Sequence, residues 1–160
     1  MNYSKLIMMK KNQINKDGKQ HGYHEAYHTN DKLWYKGYYK DGKEHDYWEV
    51  YWPNGNLANK GYYKGGEPRG LWEEYYSNGN IMFKGNYKGG EPHGLWESYH
   101  YNGTIRYKCN YKDGNQHGYW KEYYFNGNIR YKCNYKDGER DGYCEDYYSN
   151  GKKVIKEFHI

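Results

Sequence analysis

The sequence has no apolar stretch near the roughly 18 residues that a membrane-spanning helix requires, and its run Leu6, Ile7, Met8, Met9 is too short for a signal peptide and lacks a cleavage region. The expectation is a cytoplasmic protein with neither signal peptide nor transmembrane segment. Alanine occurs only at Ala26 and Ala58, and 36% of the 160 residues are hydrophobic, most of them tyrosine and tryptophan. A conventional two-layer core is therefore not expected. Cysteine is scarce as well: three residues, an odd number with no CxxC pair, suit a reducing compartment better than a disulfide framework. No GxxxxGK[ST] phosphate loop is present, and no nucleophile stands in a recognisable arrangement with a base. The expectation is that the protein is not an enzyme and needs no cofactor.

What is present is aromatic and periodic. Low hydrophobicity with a net charge of +5 would suit a disordered chain, but disordered segments are poor in aromatics and this chain is 21% aromatic. The stretch Phe83 to Tyr107 resolves the conflict, because the rest of the chain repeats it every 24 residues. Gly90 recurs at Gly18, Gly42, Gly66, Gly114 and Gly138; Tyr99 recurs at Tyr27, Tyr51, Tyr75, Tyr123 and Tyr147. Asn102 recurs in the same way. A repeat array needs to bury surface only between neighbouring units. Residues 1–16 read as a half-unit cap in which Met9 holds the place of Leu33, and six units follow at 17–40, 41–64, 65–88, 89–112, 113–136 and 137–160.

Each unit holds two short aromatic runs separated by two kinds of turn. Asn-Gly, as at Asn78-Gly79, predicts a two-residue type I′ hairpin, and KGGEPHG at 88–94 predicts a longer one. The fold class is all-β: an elongated, single-layer antiparallel meander with two strands per unit, roughly 55 to 60 Å long at about 4.8 Å per strand. Counting outward from Asn78-Gly79 pairs Ser77 with Asn80, Glu73 with Lys84 and Trp72 with Gly85. The same count sets Glu25 against Lys36, Glu49 against Lys60, Glu97 against Lys108 and Glu145 against Lys156, and only Lys121 with Lys132 breaks the pattern. Side chains alternate between faces. Trp72, Glu74, Phe83 and Tyr87 then share one face, and Leu71, Glu73, Tyr75 and Lys84 the other. Glycine opposite tryptophan leaves room for the indole, although Cys109 and Cys133 replace it in two units.

The pattern Phe83, Gly85, Tyr87, Gly90, His93, Gly94 resembles the MORN repeats, and more closely the degenerate variant of bacterial and giant-virus proteins. It recurs as Tyr35, Gly37, Tyr39, Gly42, His45 and Asp46, and as Tyr107, Tyr111, Gly114, His117 and Gly118 with Cys109 in the glycine position. Leu-Trp-Glu or Tyr-Trp-Glu after the His-Gly, and Asn-Gly at the tight turn, favour the variant. The resemblance covers residues 9 to about 160. It implies a twisted one-layer sheet used as a scaffold, for protein binding and often for self-association; lipid binding is frequently proposed for the family.

The histidine row at His21, His45, His93 and His117 spaces equivalent ligands about 9.6 Å apart, too far to share a zinc at about 2.0 Å. A turn-packing role is expected instead, and no metal. Cys109 and Cys133 face the same separation and are expected to be small packing residues. Cys133 and Cys144 lie on strands joined by the longer turn, whose register the sequence leaves open. A protein partner is expected on the aromatic face, with Trp48, Trp72, Trp96, Trp120, Tyr51, Tyr75, Tyr99 and Tyr123 as its residues, and a homodimer through the edges near 6–15 and 152–160 is a further expectation. The alternative is an anionic membrane surface met by Lys64, Lys88, Lys112, Arg69 and His93; nucleic acid is not expected.

Overall fold

The computed structural model describes residues 11–159. Among them the chain forms one open sheet in strict sequence order, each strand antiparallel to the next. The strands are β1 (Gly22–Tyr27), β2 (Leu33–Lys40), β3 (Lys43–Tyr51), β4 (Leu57–Lys64), β5 (Glu67–Tyr75), β6 (Ile81–Lys88), β7 (Glu91–Tyr99), β8 (Ile105–Lys112), β9 (Asn115–Tyr123), β10 (Ile129–Lys136), β11 (Glu139–Tyr147) and β12 (Lys153–His159). The expected meander of hairpins is the observed one. Met9 and residues 6–10 of the expected N-terminal edge lie outside the described residues. Residues 12–14 run beside β1, joined by the Ile14–Gln20 bridge and by Asn12 donating its backbone N–H to Tyr23 at 2.9 Å.

The two turns exchange roles relative to the sequence reading. The two-residue turns with left-handed φ at both centres are Asp41-Gly42 (53° and 84°) and Gly65-Gly66 (64° and 86°), with their equivalents further on. They close the hairpins that were expected to have the longer loop, so Lys64 pairs directly with Glu67 and Lys88 with Glu91. At Asn78-Gly79 only the glycine is left-handed, with φ of 90°. Gly79 donates to the carbonyl of Tyr76 at 2.9 Å, and Tyr76 donates to the carbonyl of Asn80 at 2.8 Å. That is a type I turn closed by a glycine bulge, and Tyr76 rather than Ser77 stands opposite Asn80.

The register further out is nevertheless as counted, because a second irregularity compensates. Tyr75 pairs with Ile81 but Glu74 with Phe83, so Met82 is the extra residue. Glu73 then meets Lys84 and Trp72 meets Gly85, and Glu25–Lys36, Glu49–Lys60, Glu97–Lys108, Lys121–Lys132 and Glu145–Lys156 face each other in the same way.

The core is the row of tryptophans. Trp48, Trp72 and Trp96 are buried and Trp120 is half-buried. Rings alternate along the sheet, with Trp48–Tyr63 centroids 6.2 Å apart, Tyr63–Trp72 5.4 Å, Trp72–Tyr87 6.3 Å and Tyr87–Trp96 5.1 Å, each pair edge to face. Edge-on ring pairs are favoured by the aromatic quadrupole. The glycine that makes room for Trp72 is Gly61 on β4, across the two-residue turn, and not Gly85 across the Asn-Gly turn. A Cβ on Gly61 would stand 2.1 Å from the indole of Trp72, and one on Gly85 would stand 2.1 Å from that of Trp96. Here the ladder slips by two: Lys60 pairs with Glu73 and Tyr62 with Arg69, so Gly61 opposes Gly70, Leu71 and Trp72. Gly70, with φ of 70°, turns the strand at that slip.

Candidate functional site

On the face away from the tryptophans, each glutamate of the charge ladder gathers a lysine and a tyrosine. The lysine comes mainly from the strand before it: Lys36 reaches Glu49 at 2.6 Å, Lys60 reaches Glu73 at 2.7 Å and Lys84 reaches Glu97 at 2.9 Å. Tyr51 donates to Glu49 at 2.6 Å, Tyr75 to Glu73 at 2.8 Å and Tyr99 to Glu97 at 3.0 Å. The lysine also stands above the tyrosine ring, 5.7 Å from its centre at Lys60 and Tyr75. Tyr51, Tyr75 and Tyr99 are thus committed to the ladder. Lys121 interrupts it; Lys108 turns back to Glu97 at 2.7 Å, and Lys132 goes forward to Glu145 at 2.6 Å.

These contacts shift protonation in a consistent direction. Burial disfavours the charge on Glu97, but donors Lys108, Lys84 and Tyr99 outweigh it and hold the carboxyl down to about 2. Glu145 is held to about 2 by Lys132, Lys153 and Tyr147. Burial raises the Tyr39 and Tyr111 phenols and the Cys109 thiol to about 12, which keeps that thiol protonated and unreactive.

The eight aromatic residues singled out in the sequence therefore fall on two faces. The tryptophans form the core row, while Tyr51, Tyr75, Tyr99 and Tyr123 share the ladder face. What the ladder face leaves uncovered is a stripe at a position the sequence reading passed over. Tyr47 (36% exposed), Leu71 (50%), Leu95 (42%), Tyr119 (40%) and Tyr143 (56%) occupy the same place in successive units, with the ring of Tyr62 (53%) tilted against Tyr47 at 5.0 Å. The sequence signal was available, since strand alternation puts Leu71 beside Glu73 and away from Trp72.

Lys64, Lys88, Lys112, Arg69 and His93 each lie beside a two-residue turn, spread over successive units. Lys64, Arg69 and Lys88 line one shallow cleft of 420 Å³ with Glu67, Pro68 and Tyr87. Acidic groups interleave: Asp113 lies 3.5 Å from His93 and 3.8 Å from Lys88. His21 and His117 approach Asp41 and Asp137 in the same manner, each at 3.3 Å, so this row ties a strand to the turn of the next unit. Among the described residues no three His, Cys, Asp or Glu side chains converge as metal ligands, and no helix is long and apolar enough to cross a membrane.

Cys133 departs from the role of a lone packing residue expected of it. Cys133 and Cys144 are joined as a disulfide across β10 and β11, with Cα atoms 4.2 Å apart, and Cys109 is free and buried. The two-residue slip in this hairpin, Lys132 on Glu145 but Asn134 on Asp141, is what brings them opposite each other.

A single sheet of stacked hairpins, with its aromatic row buried on one side and a charge ladder on the other, defines a hairpin-repeat protein. The family model described as "MORN repeat variant" matches residues 20–41, 47–64, 68–88, 92–113 and 116–137. The chain belongs to that family, as its repeated residues implied. No curated protein matches it.

Proposed function

We propose that the protein is a noncatalytic scaffold that docks a protein partner along the ladder face. The observation that supports this is the exposed row Tyr47, Leu71, Leu95, Tyr119 and Tyr143, apolar side chains repeated between rows of charge. Exposed apolar side chains rimmed by polar groups mark interaction surfaces, and a row spaced by one unit, with Asn86 and Asn110 between its members, suits a partner that is itself extended. The tryptophans support the surface from beneath. Charging the row with Leu71→Asp and Leu95→Asp should abolish capture of the partner from native lysate while leaving the circular dichroism spectrum unchanged. Equal capture by the folded double variant overturns the reading. Self-association through the same row is tested by sedimentation of wild type and double variant over a range of concentrations.

A second reading, contact with an anionic lipid headgroup at the two-residue turns, is favoured by the cleft that Lys64, Arg69 and Lys88 share. Flotation with phosphoinositide vesicles should then be salt-sensitive and weakened in Lys64→Ala/Lys88→Ala. Binding indifferent to both removes it.

A further inference from the structure

The row of tryptophans ends one unit before the sheet does, and the space for the missing ring remains. Each of Trp48, Trp96 and Trp120 stacks on an aromatic residue of the preceding strand, with centroids 5.3 Å (Tyr35), 5.7 Å (Phe83) and 5.0 Å (Tyr107) away. The next residue in this series is Cys144, and the next stacking platform is Tyr131. At the opposite end of the row the place is filled: His24 is buried, packs edge-on to Tyr39 at 4.9 Å and bonds the carbonyl of Gln13 at 2.8 Å. At Cys144 the side chain is too small, and a cleft of 340 Å³ opens between Trp120, Tyr131, Tyr135 and Asp146. The Tyr131 hydroxyl is buried and faces Tyr135. The exposed guanidinium of Arg140 stands over the Tyr131 ring, 6.0 Å from the centroid.

The filled slots use two kinds of acceptor for the indole N–H: Trp48 and Trp96 donate to the backbone carbonyls of Tyr38 at 3.0 Å and Asn86 at 3.2 Å, whereas the other two use a carboxylate. Trp72 donates its indole N–H to Glu74 at 3.2 Å, and Trp120 donates to Glu122 at 3.1 Å, in each case two residues along the strand. Two residues beyond Cys144 is Asp146, which lines the cleft. We propose that this cleft is a binding site for a planar heteroaromatic ring of indole size carrying an N–H donor, stacked on Tyr131 with its N–H donated to Asp146. Aromatic surface with a few convergent polar groups is the usual composition of a small-ligand site, and here Glu122, Arg140 and Glu157 line the cleft beside Asp146. The ring comes either as a free indole or as a tryptophan side chain borne on a peptide.

Titration of the isotopically labelled full chain with indole, followed by amide chemical shifts, should give saturable shifts confined to Tyr131, Tyr135, Cys144 and Asp146. N-acetyltryptophanamide tests the peptide-borne source; saturation by one probe alone identifies the source, and saturation by neither overturns the site. Since 1-methylindole keeps the ring but lacks the donor, it should bind about tenfold more weakly. Asp146→Ala, an exposed position that leaves the fold intact, should bring indole down to the affinity of 1-methylindole. Cys144→Trp should fill the slot and abolish binding, whereas Cys144→Ser, which also breaks the disulfide, should retain it. Should Cys144→Trp fail to fold, the Asp146→Ala and 1-methylindole comparison decides alone. Equal affinity for indole and 1-methylindole, or shifts spread over other units, overturns the proposal.

Discussion

Glu97 is buried and charged, a combination that costs free energy unless donors surround it, and here Lys84, Lys108 and Tyr99 do so. Its carboxyl and that of Glu145 titrate near 2 in the folded chain, below the 4.5 of an unperturbed glutamate. A group whose folded value is depressed contributes stability that is complete above its unfolded value and is lost as the pH falls through its folded one. Stability to urea should therefore be level from neutral pH down to about 5 and fall steadily from about 4.5 to 2, as followed by tryptophan fluorescence; Glu97→Gln should flatten part of that fall. Lys121 is the complementary case. Lys121→Glu gives Lys108 and Lys132 a carboxylate between them, and should raise stability by about 0.5 to 1 kcal/mol, the upper range for a surface pair, read as a shift in the urea midpoint. Counting along the strands was enough to set each glutamate against a lysine. It did not say that Lys36 and Lys60 would choose the glutamate on their other side, because a strand in mid-sheet has two neighbours and side-chain lean decides between them.

Hairpins are the next scale, and there the two turn types were read the wrong way round. Asn-Gly is a strong type I′ signal when nothing else competes, but Asn78 has another use. Its amide donates to the carbonyl of Tyr101 in the next unit at 2.9 Å while its oxygen accepts from the backbone of Asn80 at 3.0 Å. Asn54 and Asn126 bridge to Ser77 and Ser149 in the same way. A side chain that ties a turn to its neighbour constrains that turn, and Asp-Gly and Gly-Gly are left to take the left-handed pair. The extra loop residue and the bulge at Met82 offset one another, so the strand register was legible even though the turn was not. The slip of two at Gly61 had no such sequence mark, and the Cys133–Cys144 pairing, which depends on the equivalent slip, was hidden with it. Gly61→Ala should cost about 1 to 3 kcal/mol, the usual penalty for overpacking, because its Cβ meets the ring of Trp72 rather than a flexible chain end. Comparison with Gly66→Ala, where the added Cβ stands 3.7 Å from the Glu44 carboxylate but the φ of 86° is unfavourable, separates steric overlap from backbone strain in the same denaturation measurement.

Across the whole molecule, every strand from β2 to β11 has a neighbour on each side, whereas β12 pairs only with β11 among the described residues. Val154, Ile155 and Phe158 on β12 are 41 to 59% exposed. Stability in such an array is close to a sum over units and their interfaces, so amides of 153–159 should exchange with deuterium well before those of β5 to β8, measured at neutral pH by mass spectrometry. The repeat made the array, its order and its single layer legible from the residues. The exposed row at Leu71 and Leu95 was less so, because the large aromatics drew attention to positions that the fold consumes as core.

Bridges from equivalent turn positions span the same stretch of chain, from Trp52 to Tyr75 and from Tyr76 to Tyr99 alike. Cutting out residues 65–88 would leave Gly61 beneath Trp96, Lys60 beside Glu97 and Asn54 below the carbonyl of Tyr101, each seam meeting a chemically matching surface. A gene that lost one such segment would still encode a folded sheet, shorter by a hairpin, while a loss of one residue fewer or more would leave every later seam out of phase. Change in length by whole units is thus the one large alteration this architecture tolerates without invention of new contacts.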